Sequence, residues 1–207
     1  MAKISIVVPI HNAADHLEES LSSIQNQIFR DTEIICVNDA SEDDSADILQ
    51  RFASEDERFQ TIENEYCLGA GNTRNRGLER ATSPYIVFWD ADEIYESSLL
   101  EKMYRAAVDF NADIVLAERG ILNFDGKITP ENSRKYENDG YSNHGFEVLD
   151  LPEHGLSMWP SSPINRMVRR DLIDQYSIRF QDLRSSNDVF YADMTMILAN
   201  KIVHIED

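Results

Sequence analysis

Apolar positions in the first half of the chain alternate between two periods. Ile4-Ser-Ile-Val-Val8 is a β-branched run of the kind that fills a buried strand, and behind it Leu17, Leu21, Ile24 and Ile28 recur at helical spacing. The pair of patterns then repeats. Glu33-Ile-Ile-Cys-Val37 predicts a second strand, and Ile48, Leu49 and Phe52 share one helical face, with Ser41 or Asp44 as its cap. Phe59 to Glu63 predicts a weaker third strand, followed by a helix from about Ala70 to Ala81. Tyr85-Ile-Val-Phe-Trp89 predicts a fourth strand, and Leu99, Leu100, Met103, Ala107 and Phe110 an amphipathic helix before Asp113-Ile-Val-Leu116. Repeated βα units with short connections predict an α/β fold, a mainly parallel central sheet with helices on both faces.

From Gly120 to Asp150 the period is lost, and the stretch reads as a long surface excursion of the kind that often carries function. Order returns after Trp159-Pro-Ser-Ser-Pro163. A short strand is expected at Arg166 to Arg169, a helix from about Ser186 to Asn200, and a last strand at Ile202 to Ile205. The length of 207 residues suits one domain, spanning 1–207. An end directly after a strand predicts truncation at the C-terminus.

Composition narrows the class. Apolar residues make up 42% and charged residues 28%, with only eight glycines and six prolines, which excludes a collagen-like, wholly disordered or membrane-embedded chain. Nineteen basic against 38 acidic residues give a net charge of −19, which argues against nucleic acid or an anionic bilayer as partner. Any anionic ligand needs local help from a cation, arginines or backbone amides. Cys36 and Cys67 lack a C-x-x-C spacing, and with Cys36 in the apolar run Ile34 to Val37 the reading is a buried free thiol in a reducing compartment. No window approaches the ~20 apolar residues of a membrane span, and Ile4 to Ile10 is too short for a signal-peptide core. A cytoplasmic location is expected, with any membrane association confined to regions outside this chain.

In an open parallel sheet, ligands collect beyond the carboxyl ends of the strands. Pro9, His11 and Asn12 follow the first strand, Asn38, Asp39 and Ser41 the second, and Asp90, Ala91, Asp92 and Glu93 the fourth. Asp90 and Asp92, two apart on extended chain, project to one side and repel unless a cation or donor lies between them. Hard oxygen ligands in small number suit Mg²⁺ or Mn²⁺; a solvated acidic turn ahead of a helix is the competing reading. Asn38 and Asp39 could meet a nucleobase or cap a helix. The run from Asp39 is no EF-hand, since Asp44 stands where Gly is needed and Gln50 where Glu is. Gly69-Ala-Gly71-Asn-Thr-Arg74 lacks the third glycine of a dinucleotide fingerprint, yet its glycines permit close backbone approach, and Arg74 and Arg76 near a helix start could help hold a diphosphate. Asp188, placed in the first turn of the next-to-last element, is either a dipole-favoured acid or a general base.

Five ordered motifs, Ile6-Val-Val-Pro-Ile-His-Asn12, Val37-Asn-Asp-Ala-Ser41, Gly71-Asn-Thr-Arg-Asn-Arg-Gly77, Phe88-Trp-Asp-Ala-Asp92 and Asn187-Asp-Val-Phe190, resemble those of family 2 glycosyltransferases of the GT-A fold. The resemblance covers essentially the whole chain. It implies inverting sugar transfer from a nucleotide diphosphate sugar, usually UDP-linked, to a glycan or lipid-linked acceptor, with Mn²⁺ or Mg²⁺ on the diphosphate. Carried over by position, Pro9, His11, Asn12, Asp39, Gly71, Arg74, Asp90 and Ala91 are expected to contact the donor, Asp92 and Asp90 the metal, and Asp188 is the expected base. Asn187 departs from the Glu-Asp of many members. Residues 1–117 are then the nucleotide-sugar half and 118–207 an incomplete acceptor half, where Tyr136, Tyr141, His144, Phe146 and Trp159 offer surfaces for sugar stacking. A nucleotidyltransferase and a noncatalytic nucleotide-sugar-binding module are the alternatives; the first needs a Gly-rich basic loop after strand one, which Pro9-Ile-His-Asn12 is not.

Overall fold

The computed structural model describes residues 1–118, 120–122, 128–130, 145–147, 150 and 161–205. Its first strand, β1 (Ile4–Ile10), is buried almost throughout, because alternate side chains feed two different cores. The βα alternation follows as α1 (Ala14–Gln25), β2 (Thr32–Asn38), α2 (Ser45–Glu55), β3 (Phe59–Glu63), α3 (Ala70–Arg80), β4 (Tyr85–Phe88), α4 (Leu99–Asp109) and β5 (Ile114–Ala117). Beyond it lie a ribbon of β6 (Gly120–Leu122) and β7 (Ile128–Pro130), the short β8 (Gly145–Phe146), then β9 (Arg166–Arg169), α5 (Arg170–Gln175), α6 (Val189–Leu198) and β10 (Ile202–Ile205).

Among the described residues the main sheet has the order β3-β2-β1-β4-β9-β5-β10-β8. Pairing is parallel from β3 through β2 and β1 to β4, and between β5 and β10. β9 is inserted antiparallel between β4 and β5, and β8 runs antiparallel to β10. Leu17 and Leu21 of α1, Leu49 of α2 and Leu100 and Met103 of α4 pack with Ile4, Ile6, Val8 and Ile10 on one face. Leu78 of α3, Leu172 of α5 and Tyr191 and Met196 of α6 pack with Val7, Ile35 and Val37 on the other. Each fully buried aliphatic side chain contributes about 1.5–3 kcal/mol.

Several local expectations need correction. α1 stops at Gln25 and Ile28 is exposed, because Gln27 turns inward to serve α4: its Nε2 donates to Glu96 O at 2.7 Å, and Leu100 N donates to its Oε1 at 3.2 Å. Asp44 holds the N-cap position of α2 as expected, but its side chain makes no capping bond, and Ser41 lies outside the helix start. The carboxylate at the helix start is that of Asp43, which accepts from Ser45 N at 3.1 Å and Ala14 N at 2.9 Å and so ties the starts of α1 and α2 together. Phe146 is buried in the second core, where no sugar could stack on it; Tyr136, Tyr141, His144 and Trp159 lie outside the described residues. Cys36 is buried as expected, but Cys67 is exposed.

Candidate active site

The strand order reverses between β1 and β4, since β2 and β3 extend one way from β1 and β4 begins the other side. Such a switch point opens a crevice at the carboxyl ends. A cleft of about 410 Å³ sits there, lined by Pro9, His11 and Asn12 beyond β1, Asp39 beyond β2, Asp90, Ala91 and Asp92 beyond β4, and Arg74 of α3. Cys67, Gly69 and Thr73 complete the wall. The tips of β1 and β2 turn sharply: Asn12 and Ala40 adopt φ of 49° and 51°, a left-handed conformation that costs a non-glycine residue roughly 1–2 kcal/mol. The two tips are laced together. Asn12 N donates to Ser41 Oγ at 3.0 Å, Glu42 N donates to Asn12 Oδ1 at 2.8 Å, and His11 Nδ1 donates to the Asp39 carbonyl at 2.7 Å.

Asp39 is buried and fully engaged. Asn64 Nδ2 and Leu68 N donate to Oδ1 at 2.6 and 2.8 Å, while Gly69 N and Cys67 Sγ donate to Oδ2 at 2.8 and 3.3 Å. Four donors match the roughly four lone-pair sites of a carboxylate. Burial alone raises its pKa, but the bonds from Leu68, Asn64, Cys67 and Gly69 outweigh it and hold the group below the ordinary carboxylate value. The side chain therefore positions the loop entering α3, whose first cap is Gly69 at φ +81°, a backbone setting suited to glycine.

Asp90 follows β4 and faces α3. Arg74 Nη2 meets its Oδ1 at 2.7 Å, and Nη1 of the same buried guanidinium donates to Asn187 Oδ1 at 3.1 Å. Phe180 lies under the guanidinium, 5.4 Å from its ring centre. The backbone of Asp90 is gripped as well. Its N–H donates to Tyr95 Oη at 2.7 Å, and Ser20 Oγ donates to its carbonyl at 3.3 Å, while the Tyr95 ring stacks on Trp89 at 3.9 Å. Asp92, by contrast, is exposed and makes no hydrogen bond or ion pair among the described residues. A free carboxylate beside one already neutralised by arginine is a donor set of hard oxygens, and it fits Mg²⁺ or Mn²⁺ completed by water and phosphate.

Two expected residues stand outside the cleft wall. Gly71 packs against the segment before α6, where an added methyl would strike the carbonyl of Gln181 and approach Asn187 Cβ. Asp188 occupies the N-cap position of α6 without capping it through its side chain, one residue from the Arg74 ligand Asn187. Arg76 turns from the cleft and donates to Glu63 O and Asn64 Oδ1. The sequence reading overlooked Cys67, Thr73, Asn64 and Tyr95. Two of them carried a local signal: Cys67 stands two residues ahead of the glycine that opens α3, and Thr73 lies inside the Gly71–Gly77 motif.

Comparison with known proteins fits this arrangement. The glycosyltransferase EpsH of Bacillus subtilis, whose name is qualified as putative, is 29% identical over 208 residues, which cover 98% of this chain and 58% of that protein. The structure of TarS 1–349 of S. aureus in complex with UDP-GlcNAc superposes with a TM-score of 0.82 at 22% identity, over 99% of this chain and 56% of that one. The mannosyltransferase PcManGT of Pyrobaculum calidifontis, solved with GDP-Man and Mn²⁺, does so with a TM-score of 0.73 at 19% identity, over 99% and 55%. The chain thus spans a little over half the length of each. Both superpositions establish a common GT-A fold. With residues 5–177 matching the model of glycosyl transferase family 2, this chain belongs to that family.

Proposed function

We propose that this chain binds a nucleotide diphosphate sugar, UDP-linked by preference, and transfers the sugar with inversion to a hydroxyl of a glycan or lipid-linked acceptor. The observation that carries this reading is the bridge made by Arg74. It joins Asp90, at the tip of β4, to Asn187, next to Asp188, through a guanidinium that lies 113 residues before Asn187 in the sequence. The residues suited to the leaving group and the residue suited to the acceptor are thereby held in one unit.

Asp92 and Asp90 would hold Mn²⁺ or Mg²⁺, which when bound neutralises the charge that develops on the departing nucleoside diphosphate. Pro9, His11, Asn12 and Ala91 form the cleft wall offered to the nucleoside and sugar, while Asp39 holds the loop that closes that wall. Asp188 takes the proton of the acceptor hydroxyl. One base suffices for a single displacement. EpsH is named a putative glycosyltransferase, TarS was solved with UDP-GlcNAc and PcManGT with GDP-Man and Mn²⁺, and this chemistry supports the reading here. Two free cysteines suit a reducing, cytoplasmic setting. No helix among the described residues is long and apolar enough to cross a membrane.

Titration calorimetry with UDP, with and without Mn²⁺, tests the donor side. Asp92→Ala is expected to abolish the metal-dependent part of binding while the melting transition stays in place; unchanged metal-dependent affinity would remove Asp92 from the metal site. In the intact protein, Asp188→Asn should spare donor binding and lower turnover about 10²- to 10⁴-fold. Equal loss of binding and rate contradicts a base.

A further inference from the structure

A ring nitrogen of His11, a carboxylate oxygen of Asp39 and Sγ of Cys67 lie within 4.8 Å of one another in the wall of the cleft. This is a different chemistry from the all-oxygen pair at Asp90 and Asp92. Thiolate and imidazole ligands select borderline-soft cations such as Zn²⁺, whereas carboxylates alone select Mg²⁺ and Mn²⁺. We propose that His11, Asp39 and Cys67 form a second cation site, selective for Zn²⁺ over Mg²⁺ and Mn²⁺, at which the bound metal excludes nucleotide from the cleft. The exclusion rests on the reading of this cleft as the donor site; the metal site does not.

The local bonding makes room for the ion. Cys67 Sγ donates to Asp39 Oδ2 across 3.3 Å. Two ligands bound to tetrahedral zinc at ordinary Zn–S and Zn–O lengths stand about 3.5 Å apart, so sulfur and oxygen already hold near-ligand spacing with a proton where the metal would go. Zn²⁺ replaces that proton, forming a Zn–S bond as the S–H proton leaves to solvent. Oδ2 thereby regains the lone pair that the thiol occupied, and its bond from Gly69 N is undisturbed. His11 donates through Nδ1 to the Asp39 carbonyl, which leaves Nε2 as the acceptor nitrogen; it takes a long bond from Asn12 Nδ2 at 3.3 Å, which the metal would have to replace. Two negative ligands and one neutral one balance the ion, and water fills the fourth position as in open zinc sites. Cys67 is exposed, so the site can be reached from solvent.

Cobalt titration of chelator-treated protein reads the site directly, because a thiolate ligand adds a charge-transfer band in the near ultraviolet. The band is expected in the parent chain and absent in Cys67→Ser. In His11→Gln its midpoint should move by about tenfold or more, since removing a direct ligand costs no less than removing an outer-shell partner. Cys36 cannot supply it, being wholly buried with its thiol pushed up to about 12 by desolvation. A band that is missing, or that survives Cys67→Ser, overturns the site. Added Zn²⁺ should also raise the apparent Kd of UDP measured in Mg²⁺, in the parent and not in Cys67→Ser; an unchanged Kd in a chain that shows the band overturns the exclusion. A band in a chain that binds no nucleotide with any metal upholds the cation site and removes the donor reading instead.

Discussion

A buried guanidinium needs an anion, and Arg74 finds it in Asp90 while its second nitrogen reaches Asn187. The planar fork makes both bonds at once, which the single ammonium of lysine cannot. Arg74→Lys is therefore expected to weaken metal-dependent UDP binding about tenfold or more, as read by calorimetry; unchanged affinity would show that the bridge does not position Asp90. Glu33 presents the same logic away from the cleft. It accepts from Ser5 Oγ at 2.5 Å, Thr82 N at 2.7 Å and Ser83 N at 3.1 Å, closing the turn before β4. Burial pushes its pKa up, yet the bonds from Ser5, Thr82 and Ser83 outweigh that and leave it lowered. A lowered folded-state pKa means stability that is present above the unfolded value and lost as pH falls through the folded one. Glu33→Gln should cost about 1–3 kcal/mol at neutral pH and flatten the acid limb of stability, in urea unfolding at about pH 7 and pH 4. An equally steep acid limb would place the titrating group elsewhere. The rim acids were legible in the sequence because their types are unusual after an apolar strand. The bonds from Asn64 to Asp39 and from Arg74 to Asn187 were not, because contacts between residues 25 or more apart leave no local pattern, and Tyr95, five residues beyond Asp90, reads in sequence as an ordinary aromatic.

At the scale of elements, α3 lies close to its neighbours at two glycines. A methyl on Gly77 would enter the space of Val7 Cγ1 on β1, and one on Gly71 would meet the Gln181 carbonyl. The consequences differ. Gly77→Ala presses the helix off the sheet and should lower stability by about 1–3 kcal/mol, seen as an earlier urea midpoint. Gly71→Ala displaces the segment carrying Asn187 and is expected to weaken UDP binding together with stability; intact affinity would mean the segment moves independently of Arg74. Strands β1 to β5 and helices α1 to α4 were readable because each couples a clear period to a short connection. The close approach of α3 was not, since glycine in a helix signals only low propensity. β9 shows another limit: Arg166 to Arg169 was recognisable as a strand, but its antiparallel insertion between β4 and β5 is decided by edges that become available only after the rest of the sheet forms.

Over the whole molecule, a net charge of −19 opposes every phosphate that approaches. The cleft answers with only one buried guanidinium, already neutralised by Asp90, so the long-range field at its mouth is set by the surrounding acids. A nucleotide diphosphate paired with one divalent ion is still an anion, and its encounter with this surface is slowed by repulsion that extends about 10 Å at 0.1 M ionic strength. At saturating Mn²⁺, the association rate of UDP should consequently rise as monovalent salt is added and level off once the Debye length falls below the width of the cleft mouth. Stopped-flow association across a salt series checks this. A rate that falls with salt would require a net positive field at the cleft, whose described lining holds Arg74 as its one arginine or lysine, and would shift the source of attraction to residues beyond that lining. The sign of that slope distinguishes a cleft that relies on its metal for charge compensation from one that draws phosphate by steering.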